Sequence, residues 1–129
     1  MNRCKLDMLV PIAAASLALA LHAPTLRAQA GDSSVATDKT ASQCFVIYRI
    51  AAGLPGNAGH KQQLLGLGGL MGRTMQDGKV SQQQFSAWTD ELMKRIGSPR
   101  NPNLKAMSSQ VDTCNAFAKQ RYRFYAARK

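Results

Sequence analysis

The chain is 129 residues long and carries 17 lysines and arginines against 7 acids, a formal charge of +10. That length suits one domain with a modest core and is too short for two. No C-x-x-C pair, nucleophile elbow or matched pair of carboxylates occurs in it, so the enzyme classes built on those patterns lack their residues.

In chain order, Met1–Asp7 is a short basic start holding Arg3 and Lys5, and Met8–Leu21 is an uncharged run of 14 apolar and small residues. His22–Ala30 turns polar, with Pro24 placed to break a helix and Ala28-Gln29-Ala30 supplying the small residues of a cleavage site. This is the layout of a secretory signal peptide. A membrane span takes about 20 apolar residues, more than the run provides. Residues 1–30 are therefore expected to be cleaved, taking Cys4 with them. Gly31–Lys129 would remain, keeping 14 of the 17 cations and six of the seven acids for a formal charge of +8. Such a surface favours anionic partners.

Two cysteines stay in that product, Cys44 and Cys114. In an oxidising compartment a pair on facing helices is expected to be bridged. Closing a loop of about 70 residues adds roughly 4 kcal/mol by restricting the unfolded chain.

Residues 31–37 (GDSSVAT) are small and polar and read as a flexible leader before a helical domain over 38–129. Thr37 or Asp38 is the expected N-cap of a first helix, whose apolar face comprises Ala41, Cys44, Phe45, Tyr48, Ala51 and Ala52. Gly53-Leu54-Pro55-Gly56 ends it. A second helix is expected over 58–76 with Asn57 as cap and Leu64, Leu67, Met71 and Met75 on one face. Gly66, Gly68, Gly69 and Gly72 lie inside it, each costing up to about 1 kcal/mol relative to Ala. Gly68 and Gly72, four apart, are read as admitting a neighbouring helix. A phosphate-cradling loop would need a preceding strand, and no strand pattern occurs.

The third helix has the sharpest start. Ser81 and Gln84 form a capping box, and Val80 and Phe85 stand where a hydrophobic staple would sit. Phe85, Trp88, Leu92 and Ile96 make its apolar stripe, and Gly97-Ser98-Pro99 stops it. Beyond a link over 98–103, Leu104, Met107, Val111, Cys114 and Ala118 carry a fourth helix on through Tyr122 and Tyr125. The expected fold is all-α: a small bundle of about four helices tied by one Cys44–Cys114 disulfide, after a cleaved signal peptide.

Two local patterns bear on chemistry. Asp77-Gly78-Lys79-Val80-Ser81 has the outline of half a calcium loop, but Arg73, Met75 and Gln84 fall where carboxylates are required. Gly78 then reads as a helix C-cap. Val80-Ser81-x-x-Gln84 resembles the Leu-Thr-x-x-Gln motif of small helical periplasmic stress and metal-resistance proteins. That resemblance implies an envelope-stress chaperone or a metal sensor, and His60, Met71 and Met75 would be the metal-handling residues. The methionines equally suit core packing, so no cofactor is expected.

The C-terminal segment from Lys119 to Lys129 alternates five cations with three aromatics and contains no acid. Cations there favour the helix end, and the same composition suits a contact with an anionic surface. The expectation is a non-enzymatic, exported binding protein of the bacterial envelope, periplasmic or secreted, with an inhibitor- or immunity-like role as one form. Its contacts would be Arg121, Tyr122, Arg123, Tyr125, Arg128 and Lys129, and its partner a protein or an anionic envelope component, including the surface of an anionic membrane. No module specific for nucleic acid accompanies the tail.

Overall fold

A computed structural model describes the backbone of residues 23–129 and the side chains from residue 34 onward. The chain divides into two units, Met1–Ser34 and Val35–Lys129, and the second carries the packed core. The basic start and apolar run of the expected signal peptide lie outside the described residues.

Four α-helices and one 3-10 turn make up the described chain: α1 (Ala23–Gly53), the 3-10 turn (Pro55–His60), α2 (Lys61–Asp77), α3 (Gln82–Ile96) and α4 (Leu104–Ala126). No strand occurs among the described residues; Gly97 and Pro102 form an isolated bridge that closes the α3–α4 link. Helix α1 starts well before Thr37 and Asp38, and its backbone runs through the 31–37 segment read as a leader. Neither residue is therefore an N-cap. Pro24 does not interrupt the helix because it stands in the first turn, where the missing N–H has no intrahelical partner to lose.

Helix α1 is the hub of the second unit. Ala41, Ser42, Gln43, Cys44, Ile47, Tyr48, Ala51 and Ala52 are all buried, so the helix is covered on most of its circumference rather than along one stripe. Its pairings with α2 run in reverse order: Tyr48 meets Gly68, Phe45 meets Gly72, and Asp38 meets Gly78. With α4 they run in reverse too, through the Cys44–Cys114 disulfide and the field of Arg121 on Asp38. By contrast α2 and α4 run in the same direction, since Thr74 meets Arg121 and Asp77 meets Tyr125 three or four residues further along both.

Helix α3 is fastened to α1 by a buried amide. Gln43 Nε2 donates to the Trp88 carbonyl at 2.9 Å, while Gln43 Oε1 accepts from Arg95 Nη2 at 2.9 Å. Both ends of this side chain are satisfied, as burial requires. Phe45 and Phe85 pack edge to face beside it. The Lys39–Glu91 ion pair crosses the same interface at the surface, where solvent leaves it little worth.

The capping box of α3 is present with both bonds, Gln84 N–H to Ser81 Oγ at 3.1 Å and Ser81 N–H to Gln84 Oε1 at 2.9 Å. One other local reading changes. Asn57 lies within the 3-10 turn, and its amide donates to the Ala51 carbonyl instead of capping α2. Gly78 is the C-cap of α2, as expected, its N–H donating to the Thr74 carbonyl at 3.0 Å; its dihedrals are right-handed, and the left-handed position falls to Lys79 (φ 55°). A Cβ at Gly78 would displace the Asp38 carboxylate that lies against it.

Candidate functional site

The second half of α4 holds most of the residues expected to meet a partner, and helix phase sorts them into three groups. Facing inward on the Cys114–Ala118 stripe is Tyr125, only 6% exposed. Its hydroxyl donates to Asp77 Oδ2 at 2.5 Å, with Thr74 Oγ1 3.5 Å away. The Arg73 guanidinium lies 3.8 Å above its ring. Tyr125 therefore locks α4 onto the end of α2 and offers no free contact face.

A second group lies on one flank. Arg121 Nε donates to Thr74 Oγ1 at 3.3 Å, and its guanidinium stacks 4.2 Å over Phe124. Arg128 covers the same ring from 4.9 Å. These cations are engaged by aromatic faces, and Phe124 remains 40% exposed between them. Next to this group Asp38 has its carboxyl pushed above the ordinary range by burial, with the Arg121 charge pulling the other way.

The third group faces α2 across a groove of about 480 Å³. Leu67 and Leu70 of α2 and Ala118 of α4 line its apolar part; Lys119, Tyr122 and Arg123 line the other side. Tyr122 is 70% exposed. Gln63 and Asn115 stand at the far end. Asn115 is positioned by Tyr48, whose buried hydroxyl donates to Asn115 Oδ1 at 2.9 Å and whose pKa burial lifts to about 12. No acid lines the groove. Arg123 and Lys129 are exposed.

Sequence reading placed Leu67 on one stripe with Leu64, Met71 and Met75 and missed Gln63 and Leu70 on the α2 wall of this groove. The signal was there: Gln63, Leu67 and Leu70 are spaced four and three apart, a second stripe that shares Leu67 with the first. Leu104, expected at the start of the α4 stripe, stands 70% exposed instead. Asn103 precedes it as an unforeseen N-cap, accepting from the Ala106 N–H at 3.0 Å.

The alternative metal residues are not brought together. His60 is exposed at the end of the 3-10 turn, Met71 is fully buried in the core and Met75 is half-buried. No cluster of three His, Cys, Asp or Glu side chains suited to a metal occurs among the described residues. No helix among them is long and apolar enough to cross a membrane.

No family model, curated protein or solved structure matches this chain.

Proposed function

We propose that this chain is a small exported binding module, non-enzymatic, which recognises an anionic component of the cell envelope through the α2–α4 groove and the basic end of α4. Its first thirty residues, composed as a signal peptide, direct export and are removed after Ala30. The Cys44–Cys114 bridge suits the oxidising compartment that export implies.

One observation carries the reading. Lys119 and Arg123 flank an exposed Tyr122 beside an apolar floor, with no acid among the lining residues. Intramolecular partners occupy Arg73 and Arg121 nearby, whereas among the described residues no such contact holds the side chain of Lys119 or Arg123. A cation pair of this kind beside an aromatic lip draws negative charge to an apolar surface that can retain what is attached to it.

The test is retention. Immobilised oxidised protein is exposed to envelope extract at low salt and washed, in parallel with the Lys119→Glu/Arg123→Glu variant. Retention of anionic material by the wild type and its loss in the variant is the expected result. Equal retention by both proteins would remove the groove from the function. Because the attraction is partly screened, retention is expected to weaken but not vanish at high salt.

A further inference from the structure

Several clefts surround the bundle, and their charges separate them. The cleft between the end of α1 and the start of α4 is apolar, but Asp112 lines it and no cation does. The cleft at Arg73 and Arg128 contains Asp77, which is already bonded to Tyr125. A third, at Arg49 and Arg100, is lined by Pro55 and by Pro99 of the α3–α4 link. The α2–α4 groove differs from all three in being graded along its length.

At one end Gln63 and Asn115 supply neutral amides; Leu67, Leu70 and Ala118 follow; Lys119 and Arg123 close the other end with positive charge. Because α2 and α4 are parallel, an amide precedes the apolar part on both walls, and α4 alone supplies the cations. The volume of about 480 Å³ falls within the range of small-molecule sites, roughly 300–1,000 Å³. The apolar floor on α2, from Leu67 to Leu70, spans only about 4.5 Å at 1.5 Å per residue. A docked helix anchors at i, i+3, i+4 and i+7, and so needs a full two turns of matching apolar floor. A flexible chain needs no such register.

Resting on the anionic-binding reading above, we propose that the groove binds a single-chain anionic amphiphile of the fatty-acid type. The hydrocarbon chain lies on Leu67, Leu70 and Ala118, and the carboxylate is held between Lys119 and Arg123. Tyr122 forms the lip, with an apolar ring for the chain and a hydroxyl for water. Charge complementarity sets the direction of the chain: the reverse orientation would put the carboxylate against neutral amides and leave both cations facing methylenes.

The probe is sodium dodecanoate below its micelle concentration, added to ¹⁵N-labelled oxidised protein recovered from expression of the full chain. Saturable shifts are expected for amides at 63–70 and 115–123. Lys119→Glu/Arg123→Glu should raise the dissociation constant by about tenfold or more with the far-ultraviolet circular dichroism unchanged. Leu70→Gln should weaken binding while the cations remain in place. Equal affinity for dodecanol would overturn the proposal, as would shifts centred on Arg49 and Arg100 or the absence of saturable shifts. If dodecanoate fails while envelope retention still depends on Lys119 and Arg123, the amphiphile assignment falls and the broader reading stands. If retention is also indifferent to them, both fall.

Discussion

Tyr122 and Tyr125 are the same residue type on the same helix, three positions apart, each beside an arginine. Tyr122 is 70% exposed at the lip of a groove, whereas Tyr125 is 6% exposed and bonded to Asp77. Their neighbours divide in the same way. Arg121 is tied to Thr74 and stacked on Phe124, while Arg123 is exposed on the surface. A basic-aromatic tail thus consists of two interleaved sets, one holding the fold and one facing outward. Composition treats the segment as a unit, but the 100° step of the helix divides it.

The contrast can be tested at the inward stripe first. Reducing the Cys44–Cys114 bridge, which shares that stripe with Tyr125, should remove about 4 kcal/mol of stability, read as a lower melting temperature in reductant. A melt insensitive to reductant would mean that the bridge is absent in solution. Next, Tyr125→Ala should cost about 3 kcal/mol, the usual loss for a large buried ring. Tyr122→Ala should stay within about 0.5 kcal/mol in the same urea titration and instead weaken ligand retention. If the two variants were equally stable, the division of the tail would be wrong.

A smaller effect separates the groups by pH. Burial raises the Asp38 carboxyl above its ordinary range, more than Arg121 offsets. Its folded pKa therefore exceeds its unfolded one, and protonation favours the fold. Stability from this group is present in full below the ordinary carboxylate pKa and is lost as pH rises through the raised value. Asp38→Asn should accordingly melt higher than the wild type near neutral pH and converge with it in acid. Melts that run parallel at every pH would show that Asp38 is not burdened.

How far the sequence could be read follows the range of the interactions involved. The start of α3 was legible because Ser81 and Gln84 satisfy each other within four residues. Likewise legible was the Cys44–Cys114 pair, since two cysteines on apolar helix faces leave one partner each. Gly68 and Gly72 do face α1, although a Cβ at either would make only ordinary contact with Tyr48 or Phe45. Ile47 fell outside the expected stripe of α1 because burial around most of a helix blurs the periodicity that marks one face. Gly78 was legible as the cap of α2, but its contact with Asp38, forty residues away, was not. The groove demanded both walls at once, and only pairing α2 with α4 in parallel brings Leu70 beside Ala118.

The glycines of α2 have a further consequence, in the time domain. A Cβ at Gly66 or Gly69 would have nothing within 4 Å, so packing offers these residues no return for the helical order they give up. The covalent bridge joins α1 to α4 and bypasses α2. The helix that forms one wall of the groove is therefore held by its buried residues and its bonds to α4 near Thr74 and Asp77, with little packing around Gly66 and Gly69. Its amides should exchange with solvent through local opening, well before those of α1. A wall that yields while its neighbours hold allows entry into the groove without unfolding the domain.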